Sequence, residues 1–222
     1  MKRFLLVFAA IVIAACSTAP PAIQEGPSAE VSYDGLHAID NSVFALAWAD
    51  PDIDFSRYNK IMPGGAVLEF RAVKKSSGTM QSRSSQSEFY IDEKSREKLA
   101  EVASEVFQEE LAKSTRFTVA EAPGQDVLII RGALTDIVSN VPPQTVGRSE
   151  VFLSQVGEIT LILEAVDSTS GEVIFRAMER RALGRSGQGM RSSSVNSWSE
   201  VRRVMRRWAT TLREGLDSIP EA

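Results

Sequence analysis

The chain contains a single cysteine, Cys16, placed directly after an apolar run near the N-terminus. No intramolecular disulfide can form, so whatever this sequence folds into must rest on its hydrophobic core. Lys2 and Arg3 give a positive start, Phe4 to Ile13 is almost unbroken apolar sequence, and Ala14 and Ala15 close it. That layout is a secretory signal, with an apolar core too short to span a bilayer comfortably. No later segment approaches the roughly 20 apolar residues needed to cross a membrane. The organisation expected is therefore a signal peptide over 1–15, a flexible tether over 16–40 and one domain over 41–222. The roughly 180 residues of that last stretch suffice for one compact core.

The ending Ile13-Ala14-Ala15-Cys16 resembles a bacterial lipobox. The resemblance implies that the Cys16 thiol is alkylated with diacylglycerol, that the chain is cut before it, and that the new amine is acylated. Several acyl chains hold far more firmly than one. Ser17 follows the cysteine where inner-membrane retention typically uses Asp, which favours an outer-membrane address on the periplasmic face.

Removing residues 1–15 takes away two of the 25 Lys and Arg and none of the 29 Asp and Glu, so the formal charge moves from −4 to −6. A mildly acidic domain lacks the basic footprint that the nucleic-acid backbone demands.

Residues 17–35 are rich in Pro, Ala, Ser and Gly without apolar periodicity, which reads as a tether. An apolar cluster of Val43, Phe44, Leu46 and Trp48 opens the domain. A strand is expected from Tyr58 to Val73, with a bulge or edge position at Pro63-Gly64-Gly65, followed by a Ser-rich loop over 74–89. Asp92 can cap a helix to about Lys113, whose Leu99, Val102, Ala103, Val106, Phe107 and Leu111 fall on one face. Strand character returns at Phe117–Val119, Asp126–Val138 and 149–166. In the last run, Ile159, Leu161, Leu163 and Ala165 alternate with Glu158, Thr160, Ile162 and Glu164. Residues 167–171 make a hairpin turn into Glu172–Leu183, and 184–196 is a second Gly/Ser-rich loop. The pair Ser197 and Glu200 reads as a capping box for a final helix ending before Pro220. The fold class expected is α+β: a mixed, mostly antiparallel sheet of about five strands with two amphipathic helices packed on one face.

The strings DPDIDFSRYNKIM (50–62), PGQDVLIIRGALTDIV (123–138), GEITLILEAVDSTSGEVI (157–174) and SWSEVRRVMRRWATTLREGLD (197–217) carry a family resemblance. Behind a lipobox and in this order, they are similar to the proteobacterial lipoproteins of domain-of-unknown-function family thirty-three thirteen. The resemblance carries over no catalytic residues, since none are established for that family.

Chemistry-bearing motifs are sparse. A hydrolytic triad needs a base beside its nucleophile, and the only histidine, His37, falls at the end of the expected tether. Without further His or Cys, a zinc site would need an all-carboxylate shell, and no calcium-loop pattern occurs. Ser95-x-x-Lys98 matches a penicillin-binding nucleophile motif but lacks its partner motifs. Gly184, Gly187 and Gly189 have the wrong spacing for a dinucleotide fingerprint. Asp50, Asp52 and Asp54 read as turn caps. No cofactor, no metal and no enzymatic activity are expected.

The last helix carries Arg202, Arg203, Arg206, Arg207 and Arg213, a stripe able to meet phosphate, lipid head groups or an acidic partner. The ordinary alternative is a solvated face paired with Glu200 and Glu214. Two functional readings follow. In the first, the protein is a non-enzymatic outer-membrane lipoprotein that contacts an envelope protein or assembly. In the second, it binds a lipid or glycan between helices and sheet. A sizeable apolar cavity beneath the helices belongs to the second, and a packed core with an exposed complementary patch to the first.

Overall fold

A computed structural model describes residues 19–73, 88–141, 152–153, 155–184, 190–191 and 194–219. The signal segment and Cys16, most of both Ser-rich loops and Pro142-Pro143 lie outside the described residues. Ten strands and two α-helices follow in chain order. These are β1 (Ala22–Ile23), β2 (His37–Asp40), β3 (Leu46–Ala49), β4 (Lys60–Phe70), α1 (Glu93–Leu111), β5 (Thr118–Val119), β6 (Val127–Ser139), β7 (Phe152–Leu153), β8 (Gly157–Asp167), β9 (Val173–Leu183), β10 (Met190–Arg191) and α2 (Ser194–Asp217). A short 3-10 helix, Phe55–Arg57, precedes β4.

One sheet of eight strands runs in the order β1-β2-β3-β9-β8-β6-β4-β5, and β7 and β10 form a separate two-stranded ribbon. Neighbours from β1 to β6 are antiparallel; β4 pairs in parallel with β6 and β5. A parallel neighbour requires a crossover, and α1, between β4 and β6, supplies it.

The α+β layout with a mixed sheet and two helices agrees with the sequence expectation; the strand count of about five is corrected to eight. The added strands come mainly from residues 22–49, including the stretch expected to be a flexible tether. Ala22–Ile23 pairs with Ile39–Asp40, and Gln24 N–H donates to the Ala38 carbonyl at 2.8 Å. Leu36 is buried, and Asp34 is ion-paired with Arg176 of β9 at 2.6 Å. The chain from residue 19 onward is thus part of the domain. Individual apolar residues (Ile23, Leu36, Ile39) and long-range polar bonds order it, and neither leaves a periodic signal.

The central strands follow their pattern. On β8, Ile159, Leu161, Leu163 and Ala165 are buried while Glu158, Thr160, Ile162 and Glu164 are half-buried on the opposite face. The buried residues join Leu99, Val102 and Val106 of α1 and Val204, Met205, Trp208 and Leu212 of α2 in one core. Asp92 caps α1, accepting from the Ser95 N–H at 2.8 Å. The last helix begins at Ser194, so Ser197 and Glu200 lie inside its first turns and not at its cap. The expected bulge falls between Pro63 and Ala66 of β4. A Cβ on Gly64 would come within 2.9 Å of Ile129 Cγ2 and 3.0 Å of Arg131 Cβ, so the close crossing of β6 needs glycine there.

On the helix-free face, in-register pairing lines up Arg131, Glu164 and Arg176 across β6, β8 and β9. Arg131 and Arg176 both bond the Glu164 carboxylate, at 2.7 and 2.9 Å.

Candidate functional site

Packing on the helix side thins toward one end of the sheet. Inward residues on β8 shrink from Leu163 to Ala165, and the exposed Gly215 of α2 lines the same space, where a Cβ would meet nothing within 4 Å. The result is a cavity of about 770 Å³, inside the range of roughly 300–1,000 Å³ usual for ligand pockets. Its floor is the inner face of the sheet (Leu128, Ile130, Leu163, Ala165, Phe175), and its roof is the end of α2 (Leu212, Leu216, Ile219). The third wall comes from the N-terminal segments: Pro20, Pro21, Ile23, Ile39, Phe44 and Phe55. The lining is predominantly apolar, and Ser42, Asp54, Ser56 and Ser218 bring the polar side chains with which an amphiphile's head could bond.

Two polar knots hold this frame. The first fixes the 3-10 helix that presents Phe55 and Ser56. Buried Asp167 accepts from Tyr58 Oη at 2.7 Å, Thr169 N and Oγ1 at 2.8 and 2.6 Å, Ser170 N at 2.9 Å, and from Arg57 Nη2. Burial alone would raise the Asp167 carboxyl's pKa; the bonds from Thr169, Ser170 and Tyr58 outweigh it and hold it well below the usual carboxylate range. Burial, with the bond to Asp167, pushes the Tyr58 phenol up to about 12. Asp54 caps the same short helix through Ser56 N–H at 2.9 Å. The second knot fixes the end of α2: Asp217 accepts from Ser114 Oγ at 2.5 Å, Thr115 N at 3.2 Å and Arg116 N at 3.3 Å. With both ends tied, the cavity is pre-formed.

The arginines of α2 do not form one open stripe. Arg202 bonds Glu105 of α1 at 3.0 Å, Arg203 bonds Glu200 and the Gly184 carbonyl, and Arg213 bonds Asp217 and Glu214 at 3.1 Å each. Arg206 and Arg207 are exposed. His37 sits on β2 with Nδ1 2.7 Å from the Gln24 carbonyl oxygen. Lys98 lies over the Trp198 ring at 4.9 Å, and Ser95 N–H serves the helix cap. Asp50 and Asp54 act as turn caps. Among the described residues no group of three His, Cys, Asp or Glu could hold a metal ion, and no helix is long and apolar enough to cross a membrane. An apolar cavity beneath the helices is one of the two alternatives open from the sequence, but its lining residues are not identifiable there, because they are scattered apolar residues, each of which reads as ordinary core.

An α+β domain with a preformed apolar cavity under its last helix is the class that fold and site define. Residues 28–212 match the family model described as "Protein of unknown function (DUF3313)", and the chain belongs to that family. No curated protein matches the chain. Among solved structures, it is similar to a PelC dodecamer from Paraburkholderia phytofirmans (12% identity, 75% of this chain and 94% of that one, TM-score 0.34). It is also similar to a Xanthomonas campestris protein of family DUF330 (11%, 74% and 86%, TM-score 0.37). A third is a hypothetical protein from Chlamydia trachomatis (9%, 72% and 98%, TM-score 0.35).

Proposed function

We propose that this protein is a non-enzymatic, lipid-anchored envelope lipoprotein whose domain holds an acyl chain, or another elongated apolar ligand, in the cavity under α2. The observation that carries the reading is the cavity itself: about 770 Å³, lined mainly by aliphatic and aromatic side chains. Each methylene moved from water into such a site gains roughly 0.8 kcal/mol, and the serines and Asp54 at its polar positions suit the junction between chain and head group.

The test is native mass spectrometry of the chain from residue 16 onward, exported behind a cleavable signal with Cys16→Ser, together with titration by the fluorescent fatty acid cis-parinaric acid. A discrete lipid adduct and saturable fluorescence are expected. Gly215→Trp, which places an indole into the open space, should abolish both. A bare protein that takes up no fatty acid would sink the reading.

The contact-module reading rests on a separate observation. On the helix-free face, Val67, Ala133, Ile162, Met178 and Leu46 line up in register across β4, β6, β8, β9 and β3. Val67 is 67% and Leu46 50% exposed. Substituting both with Lys and comparing envelope crosslinking patterns tests that surface without touching the cavity; an unchanged pattern counts against it.

A further inference from the structure

We infer that the cavity is the docking site of an acyl chain carried by this protein's own Cys16. The inference rests on the proposed reading of the cavity as an acyl site and on the lipobox ending at Cys16. What selects this occupant over a free lipid is where the chain enters. Pro20, Pro21 and Ile23 form part of the cavity wall. Their position is fixed by pairing of Ala22 and Ile23 with Asp40 and Ile39, and Gln24 Nε2 adds a bond to Asp40 Oδ1 at 2.8 Å. Proline fixes φ at both Pro20 and Pro21, so the backbone leaves the wall in a restricted direction.

Cys16 lies four residues before Pro20. At no more than ~3.6 Å per residue, its Cα stays within about 14 Å of the Pro20 Cα, and its sulfur within about 17 Å. A chain tethered this closely meets the cavity at an effective concentration in the millimolar range or above, where a free lipid must first leave a bilayer. Chemistry and size agree: an unbranched apolar tail entering a mainly apolar space of about 770 Å³, its glycerol linkage left near Ser42, Asp54 and Ser218.

The experiment uses the full chain, acylated in a bacterial envelope, with p-benzoylphenylalanine at Ile219, a half-buried residue at the end of the cavity roof. Illumination followed by mass spectrometry of the cross-linked peptides identifies what lies against the wall. Alongside it, cis-parinaric acid uptake is compared between the acylated protein and the Cys16→Ser chain. The expected result is a cross-link from position 219 to the lipid of the Cys16 peptide within one molecule, and uptake at least ten-fold weaker in the acylated protein. A cross-link to free envelope lipid only, with equal uptake by both forms, overturns this inference and leaves the acyl site standing. An intact mass showing Cys16 unmodified also overturns it. Absence of uptake by the Cys16→Ser chain removes the acyl-site reading itself.

Discussion

Replacing Asp167 with Ala removes the acceptor on which the β8–β9 turn and the 3-10 helix converge. The side chain is 4% exposed in its ion pair, whereas that of Arg57 is 52% exposed. Arg57 therefore rehydrates and contributes little. Tyr58 Oη, Thr169 N and Ser170 N are left without their partner at 2.7, 2.8 and 2.9 Å. At about 1 kcal/mol per bond the loss is about 3 kcal/mol. For a domain of this size that is a fall in Tm of roughly 6–12 °C. Asp167→Asn keeps one acceptor oxygen but turns an amide toward Arg57, which has nothing to accept with, so an intermediate loss is expected. The carboxyl's pKa is depressed in the folded state. Its stabilisation is thus present above the ordinary carboxylate pKa of 3.8 and is lost as pH falls from there toward the folded value. Tyr58 works at the other end: raised from 10 to about 12 when folded, it costs stability as pH rises through that window. Chemical denaturation from pH 2 to 7 and from pH 9 to 12 reads both. Wild type should lose stability more steeply below pH 4 than Asp167→Ala, and Tyr58→Phe should flatten the alkaline limb. A Tm within 2 °C of wild type for Asp167→Ala, with an unchanged acid slope, would refute the reasoning.

Gly157→Ala should destabilise by about 1–3 kcal/mol or more, because its Cβ would stand 2.3 Å from the Val138 carbonyl oxygen in the neighbouring strand; urea unfolding measures it, and a loss below 0.5 kcal/mol contradicts the packing described. Arg176→Ala removes the bridge from β9 to Asp34 and Glu164; global stability should fall by only about 1 kcal/mol, while limited proteolysis within residues 26–35 should accelerate several-fold. Cleavage there at the wild-type rate would mean that the bridge does not hold the N-terminal segment down.

The parts of the fold that the sequence made legible are those with strong local periodicity. The alternation from Glu158 to Ala165, the Asp92 cap and the turn over 167–171 each state their structure within about ten residues. The strands β1 to β3 do not: at two to four residues each they are too short for a period to register. They form because β9 offers a free edge and Arg176 catches Asp34. The composition of residues 17–35 pointed to a tether for the same reason, since Pro and Gly there make turns whose ends are paired far away in sequence. Gly26 and Gly35 both hold φ near +80° to +90° in such turns. The arginines of α2 were visible as a stripe, but the carboxylates of α1 that engage Arg202 and Arg213, Glu105 and Glu110, emerge only when the helices pack. The cavity was hidden further still, because a void is defined by the side chain that is missing, here at Ala165 and Gly215.

In the proposed lipid-anchored form, a folded N-terminal segment changes what the anchor can do. A free tether of about 20 residues would hold the domain tens of Å from the bilayer; with Ala22 and Ile23 paired to Asp40 and Ile39 and Pro20 and Pro21 in the cavity wall, that wall lies only four residues from the proposed acylation site. In that form, without residues 1–15, the formal charge of −6 gives the domain no net attraction to an anionic leaflet, and the acyl chains would supply the anchorage. A chain lodged under α2 is then a chain withdrawn from the membrane. Filling the cavity in the acylated protein with Gly215→Trp should return that chain to the bilayer and slow transfer between donor and acceptor vesicles by ten-fold or more. Transfer at the wild-type rate would show that the anchor and the cavity act independently, and would leave the cavity to a ligand from outside.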